Sequence, residues 1–111
     1  MAGVAMLQRR GFVDSSRMAV SGWSYGGYMT TWLLGHYNVW KAAVAGAAVT
    51  DWVNMYTADG SVTISDQVGG SPYAGDNIKS YRDQSPISFA QNIHAPPLIL
   101  HDTGDTRVPV A

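Results

Sequence analysis

The chain has 111 residues, with 46% hydrophobic and 14% charged residues, 12 glycines, no cysteine and a formal net charge of −1. These values are typical of one globular domain with its own core, and they exclude a disordered or collagen-like chain. The absence of cysteine excludes a disulfide scaffold, a thiolate zinc site and thiol catalysis, and the absence of a basic run longer than Arg9–Arg10 argues against a nucleic-acid partner.

The first half of the chain alternates between predicted helices and strands. Helix-forming residues occupy 2–10, and the apolar run 18–23 has the length of a strand. Residues 25–35 favour a helix, because their aromatic and small side chains recur at three- and four-residue spacing. The small and β-branched residues of 42–49 are typical of a strand that is buried on both faces.

Turn-forming residues become common in the second half of the chain. Residues 51–75 are rich in Asp, Gly, Ser and Tyr, and we expect this segment to be irregular. A short helix is predicted over 85–92, because Pro86 is well suited to a first helical turn. A third strand is predicted over 97–101, and it leads into the polar turn 102–105.

This alternation predicts a single α/β domain over residues 1–111, with a mostly parallel sheet and helices on both of its faces. In such sheets, functional groups collect at the carboxyl ends of the strands. The three predicted strand ends deliver Ser24, residues 49–52 and residues 102–105 to one edge of the sheet. We therefore expect a functional site at that edge.

The stretch GWSYGGYMT frames one serine with glycines, since Gly22 and Gly26 lie two places before and after Ser24. A serine on a sharp strand-to-helix bend needs such neighbours, because side chains there would collide. The backbone N–H of Tyr25 would then be the first oxyanion donor, and Trp23 and Tyr25 would flank the nucleophile. The alternative is a glycine-rich turn with an incidental serine, since G-x-S-x-G by itself is a weak signal.

The position of a carboxylate later in the chain supports the nucleophile. In an elbow of this type the acid follows the serine on a later strand end, and the base comes last. Asp105 lies 81 residues after Ser24 and satisfies the first condition. Asp102 competes for the acid role on spacing alone.

Four segments follow one another in the order GWSYGGY, VTDWVNMY, SPISFAQNI and PLILHDTGDTRVP. Together they resemble the catalytic domain of the prolyl oligopeptidase (S9) family of serine peptidases, in particular its dipeptidyl-peptidase IV and acylaminoacyl-peptidase branches. The resemblance covers essentially all 111 residues. It implies the central part of an α/β-hydrolase fold and a peptidase that cleaves short peptides through an acyl-enzyme, without a metal or another cofactor.

The resemblance also implies roles for individual residues. Ser24 is the nucleophile, Asp105 is the triad acid, favoured over Asp102 by its place in D-T-R-V-P, and the Tyr25 N–H contributes to the oxyanion hole. Trp23 and Arg107 are expected to contact the substrate. An apolar S1 pocket is expected from Val49, Trp52, Met55 and Val108.

A triad base is not apparent among the three histidines. His36 is expected about 18 Å from Ser24, at the far end of the helix that begins beside it. His94 is expected at the opposite edge of the sheet, whereas His101 lies on the correct edge, where we favour a structural role. None of them has a second ligand at metal-binding spacing. We expect little or no peptidase activity from this chain as a monomer.

Two further interpretations stay open. The chain could be a small esterase that acts on activated esters, with His101 or a histidine from a neighbouring subunit as its base. It could also be a non-catalytic α/β module that acts by self-association. In either case, and for a piece of a longer enzyme, we expect exposed sheet edges and uncovered apolar surface.

The amino-terminal segment does not resemble a secretory signal, because Arg9 and Arg10 follow before an apolar region could form. No apolar run in the sequence approaches the length of a membrane span. We therefore expect a soluble chain without a membrane partner, and the cytoplasm is the favoured compartment.

Overall fold

The computed structural model describes residues 1–59 and 62–110. The elements in chain order are the helix α1 (Ala2–Arg9), the strand β1 (Ala19–Trp23), the helix α2 (Tyr25–His36), the strand β2 (Ala42–Gly46), the helices α3 (Trp52–Asp59), α4 (Val62–Val68) and α5 (Asn77–Gln84), a 3-10 helix (Pro86–Asn92) and the strand β3 (Pro97–Leu100).

The three strands form one parallel sheet in the order β1-β2-β3, and this confirms the predicted α/β class with a parallel sheet, whereas α2 packs on one face and the other face is exposed. Ser21 pairs with Val44, and Val44 pairs with Leu98, so the three strands end at the same edge. The small residues of β2 allow α2 to pack closely on one face, where Ala43 and Ala45 are buried.

The opposite face of the sheet is exposed to solvent. Side chains alternate between the two faces of a strand, and those that point away from α2 remain accessible. Val44 is 39% exposed, Leu98 55% and Leu100 43%. The expected uncovered apolar surface is therefore present on the residues that the structure describes.

The prediction of an irregular segment over 51–75 is wrong, because α3 and α4 lie within it. The Asp51 carboxylate caps the start of α3 by accepting hydrogen bonds from the Val53 N–H at 2.8 Å and the Asn54 N–H at 3.3 Å. Polar residues dominate the composition of this segment, so the apolar residues that recur at helical spacing were not recognised. The buried ones among them are Trp52, Met55, Ile64 and Val68.

Two larger differences from the prediction are the end of β2 and the presence of α5. β2 ends at Gly46 instead of Val49, because Ala47 adopts a left-handed conformation with φ 44°. The helix α5 covers residues 77–84, for which no element was predicted. Its buried residue is Tyr81, whose hydroxyl donates to the Gly70 carbonyl oxygen at 2.7 Å.

Among residues 1–59 and 62–110, the structure contains no helix with the length and apolar character that crossing a bilayer requires.

Candidate active site

Ser24 lies on a sharp turn between β1 and α2. Its backbone has φ 56° and ψ −118°, a region that non-glycine residues rarely adopt. Two hydrogen bonds hold this conformation, because the Ser24 N–H donates to the Gly46 carbonyl oxygen and the Tyr28 N–H donates to the Ser24 carbonyl oxygen, each at 2.9 Å. The side chain is exposed. This is the geometry of a nucleophile elbow.

The close approach of backbone at the turn requires two glycines. A Cβ on Gly22 would lie 2.3 Å from the Gly26 carbonyl oxygen, and a Cβ on Gly27 would lie 2.4 Å from the Gly46 carbonyl oxygen. A Cβ on Gly26 would meet nothing within 4 Å. The expectation that a side chain at Gly26 would collide is therefore wrong, since a Cβ at this position has open space. The position where a side chain would collide, and which the sequence did not indicate, is Gly27.

Trp23 and Tyr25 flank Ser24, as expected, and both are exposed, by 64% and 65%. The indole of Trp23 covers Gly46, where an added Cβ would lie 2.0 Å from the ring carbon Cε3. The Tyr25 ring lies 5.2 Å from the Tyr28 ring, measured between centroids. The first N–H groups of α2, including that of Tyr25, have no partner within the helix and carry its positive dipole end beside Ser24.

The polypeptide from His101 to Val108, which we call the acid loop, follows β3. Asp105 Oδ1 accepts hydrogen bonds from the Arg107 N–H at 2.8 Å and the Val108 N–H at 2.9 Å. These two bonds, that of Val108 first, hold the pKa of Asp105 below its usual value, and the nearby His101 adds a smaller effect in the same direction. The ionised form of Asp105 is thus favoured to a lower pH than that of an unperturbed aspartate.

Asp102 is also part of the acid loop and has a different role. Its Oδ1 accepts a hydrogen bond from the Gly104 N–H at 2.8 Å, and its carbonyl oxygen accepts from the Asp105 N–H at 3.1 Å. Asp102 thus shapes the turn that presents Asp105, and its own side chain is exposed.

One peptide unit of β2 joins the elbow to β3. The Gly46 carbonyl oxygen accepts from the Ser24 N–H, and the Ala47 N–H of the same peptide donates to the Leu100 carbonyl oxygen at 2.8 Å. Ser24 and the acid loop therefore share a backbone connection at the predicted sheet edge. Within residues 1–59 and 62–110, no hydrogen bond joins the Ser24 hydroxyl to Asp105 or to a histidine.

The four residues expected in an S1 pocket belong to one apolar cluster, and each is between 7% and 9% exposed. Val49, Met55 and Val108 line a cleft of about 240 Å³ beside the acid loop. Trp52 instead lines a neighbouring cavity of about 270 Å³ together with Tyr25 and others. The structure thus brings the four together in the core but divides them between two cavities. Arg107 lies on the exposed part of the acid loop.

A buried serine that the sequence reasoning missed fixes the position of Trp52. Ser85 is 1% exposed, and its hydroxyl donates to the Tyr81 carbonyl oxygen at 2.7 Å and accepts from the Trp52 N–H at 2.9 Å. The sequence offered only Pro86 as a signal here, which marks the start of the 3-10 helix but not this contact.

The three histidines are engaged elsewhere or remote from Ser24. His36 ends α2, where its Nδ1 lies 2.8 Å from the Trp32 carbonyl oxygen and its ring stacks on Trp32 with centroids 4.0 Å apart. His94 is exposed in the segment before β3. His101 Nε2 lies 2.7 Å from the Val108 carbonyl oxygen.

A larger cavity of about 490 Å³ lies at the amino ends of β1 and β2, away from Ser24. Val4 and Leu7 of α1 contribute apolar walls, Trp40 lines it, and the exposed ion pair of Asp14 with Arg17 lies at its margin. It contains no nucleophile, so chemistry and not size places the candidate site at the carboxyl edge. No group of three or more histidine, aspartate or glutamate side chains forms a metal site in the described part of the chain.

The model of the prolyl oligopeptidase family of peptidases (Peptidase_S9) matches residues 1–111. The chain belongs to this family. Family members with similar sequences include the uncharacterized peptidase YuxL of Bacillus subtilis (strain 168), 34% identical over 94% of this chain, and the dipeptidyl peptidase 4 of Bos taurus, 37% identical over 90% of it.

The fold agrees with solved structures of the family. The acylaminoacyl peptidase of Pyrococcus horikoshii superposes with a TM-score of 0.86 and 30% identity over 96% of this chain. The chain spans only 16% of YuxL, 13% of the bovine enzyme and 17% of the Pyrococcus enzyme. It therefore corresponds to a small part of each relative.

Proposed function

We propose that this chain carries the nucleophile and the acid of a serine peptidase that cleaves short peptides through an acyl-enzyme on Ser24. The observation that carries the proposal is the strained conformation of Ser24, at φ 56° between β1 and α2. Membership of the prolyl oligopeptidase family supports peptidase chemistry, and a dipeptidyl peptidase and an acylaminoacyl peptidase among the relatives favour short substrates.

In the proposed reaction, Ser24 Oγ attacks the carbonyl carbon of the scissile peptide bond while a base accepts the hydroxyl proton. Negative charge then develops on the carbonyl oxygen, where the Tyr25 N–H donates and the amino end of α2 is favourable. The base returns the proton to the leaving amine, and water later releases the acyl group. Asp105, whose carboxylate is held in place by its two loop donors, would orient the base.

Substrate selection is proposed to depend on the apolar cluster beside the acid loop. Val49, Met55 and Val108 would form the wall that receives the side chain before the scissile bond, and Trp52 would support that wall from the same apolar cluster. This lining favours an apolar residue at that position of the substrate. Arg107 and Trp23, both exposed near the sheet edge, would contact polar and flat groups of the substrate.

We infer that the base is supplied by a longer chain or by a neighbouring subunit. His36 Nδ1 is hydrogen-bonded to the Trp32 carbonyl oxygen, and His101 Nε2 is hydrogen-bonded to the Val108 carbonyl oxygen. The hydrogen bond of His101 counts against a small esterase with His101 as its base. Without a base, a triad enzyme keeps roughly 10³–10⁴ of acceleration from the oxyanion hole and binding. These 111 residues alone should show little peptidase activity and slow acylation by activated esters, because such leaving groups need little protonation.

The proposal is tested by acylation with p-nitrophenyl acetate, followed as a burst of p-nitrophenolate and as an acetyl adduct in intact-protein mass spectra. We expect one adduct per chain, abolished by Ser24→Ala and retained by Ser21→Ala, which alters an exposed serine of the preceding strand β1. Imidazole in solution should accelerate adduct formation on Ser24 if the absent base limits the rate.

An adduct that persists in Ser24→Ala would overturn the proposal. Complete lack of acylation in a folded chain, with imidazole present, would also overturn it and would favour the non-catalytic module. The exposed apolar residues of the free sheet face, Val44, Leu98 and Leu100, are the observation in favour of that second function.

A further inference from the structure

His101, the first residue of the acid loop, is joined to Val108, the last residue of the loop, by a hydrogen bond of defined direction. Its Nε2 lies 2.7 Å from the Val108 carbonyl oxygen. A carbonyl oxygen can only accept, so Nε2 carries the proton and donates it. The His101 side chain is 18% exposed, so water has little access to compete for this bond.

The backbone of Val108 lies between His101 and Asp105. Its carbonyl oxygen accepts from His101, and its N–H donates to Asp105 Oδ1 at 2.9 Å. His101 Nε2 lies 3.9 Å from Asp105 Oδ2, beyond hydrogen-bond distance. A path of two hydrogen bonds therefore connects the histidine to the carboxylate through the Val108 backbone, and no direct hydrogen bond joins the two side chains.

The side chain of Val108 belongs to the apolar wall described above. It is 7% exposed and lines the cleft of about 240 Å³ together with Val49 and Met55. His101 lines the same cleft. One residue thus participates both in the hydrogen bonds of the carboxylate and in the wall of the cleft.

We propose that His101 is a positioning residue that, by donating from Nε2 to the Val108 carbonyl, orients Asp105 and sets the place of Val108 in the cleft wall. The importance of this role for catalysis rests on the proposed function, in which Asp105 is the triad acid and Val108 lines the substrate pocket. The hydrogen bond also excludes Nε2 of this tautomer as a proton acceptor, because that nitrogen already bears a proton.

A matched pair of variants separates the hydrogen bond from the charge of the imidazole. In His101→Gln the amide nitrogen is the same number of bonds from Cα as Nε2 and can donate to Val108. In His101→Asn the amide nitrogen is one bond shorter, at the place of Nδ1, and cannot reach. Both variants remove the titratable ring, so their difference reports the hydrogen bond to Val108.

Two NMR measurements on the 111-residue chain give the readout. In a ¹³C titration of the Asp105 carboxyl, we expect His101→Asn to move its pKa up toward the ordinary value, because the Val108 and Arg107 donors loosen. We expect His101→Gln to keep it lower than in His101→Asn. Amide hydrogen exchange of Val108 should be roughly fivefold faster in His101→Asn than in His101→Gln, as expected for loss of one hydrogen bond.

Equal Asp105 pKa values and equal Val108 exchange rates in the two variants would overturn the proposal. The unaltered chain gives an independent test if a variant fails to fold, because the ¹⁵N shifts of His101 must show the tautomer protonated at Nε2. The tautomer protonated at Nδ1 would overturn the proposal. None of these readouts uses Ser24, so failure of acylation would remove the proposed function while leaving the role of His101 in the acid loop to its own test.

Discussion

The elbow at Ser24 and the acid loop lie at the same edge of one sheet, but they are held in place by opposite means. At the elbow, backbone approaches so closely that a Cβ on Gly22 would lie 2.3 Å from a carbonyl oxygen. In the acid loop, the carboxylates of Asp102 and Asp105 accept backbone N–H groups, and a Cβ on Gly104 would have an ordinary contact of 3.5 Å. The conformation of the elbow requires residues without a side chain, and the conformation of the acid loop requires carboxylate side chains.

This difference separates two responses to change. Added volume should damage the elbow and spare the acid loop, because only the elbow lacks space. Loss of a negative charge or a lower pH should affect the acid loop, because its shape depends on ionised acceptors.

The largest effect is expected from Gly22→Ala. The new Cβ would meet backbone atoms of Gly26 that cannot move without disrupting the start of α2, so we expect a loss of about 3 kcal/mol in the free energy of unfolding, measured by urea denaturation. Gly26→Ala is the matched control, because its Cβ has open space, and it should stabilise the chain by roughly 0.5–1 kcal/mol. Equal destabilisation by both changes would contradict the steric account of the elbow.

A smaller loss, about 1–2 kcal/mol, is expected from Gly46→Ala. Its Cβ would collide with the indole of Trp23, which is 64% exposed and can turn aside. In a Trp23→Ala background the same substitution should cost much less, a coupling that a double-mutant cycle measures. A cost that does not depend on Trp23 would mean that another contact requires the glycine.

Asp105→Asn should flatten the dependence of stability on pH in the acid range. The folded-state pKa of Asp105 is lowered, so its contribution is fully present above the ordinary value of about 3.9 and is lost as the pH falls toward the folded-state pKa. Urea unfolding of both chains at several pH values checks this, and the remaining shared dependence includes Asp14, whose pKa is lowered by hydrogen bonds from Ser16 and Arg17. Parallel curves for the two chains would show that the hydrogen bonds to Asp105 do not persist in solution.

The smallest effect is expected from Gly104→Ala, within about 0.5 kcal/mol in the free energy of unfolding. The nearest atom to its Cβ would be Asp102 Oδ1 at 3.5 Å. A loss comparable to that of Gly22→Ala would remove the contrast between the two regions.

Much of the frame of this fold could be predicted from the sequence, because apolar runs and a helical spacing marked β1, α2, β2 and β3. The helices α3 and α4 were missed, since the frequent Asp, Gly and Ser residues of that segment masked a stripe that becomes visible only when Trp52 and Ile64 pack into one cluster. Similarly, the sequence could not distinguish Gly26 from Gly27, because only the packing of α2 on β2 decides which of them faces backbone.

The candidate site, like the fold, could be predicted from the sequence only in part. The order of the motifs placed Ser24 and the acid loop at one edge of the sheet, since that follows from parallel topology alone. The hydrogen bond from His101 to Val108 depends on how eight residues of chain fold back on themselves, and no local pattern encodes it.

The reactivity of Ser24 is tested most directly by labelling the folded chain with a fluorophosphonate, with imidazole present as the base, and locating the adduct by tandem mass spectrometry. We expect one adduct, on the peptide that contains Ser24. We expect none in the Ser24→Ala variant, provided that its secondary structure content equals that of the unaltered chain. Absence of an adduct on the folded chain, or adducts on other hydroxyl groups that form equally fast in Ser24→Ala, would contradict the assignment of Ser24 as the nucleophile.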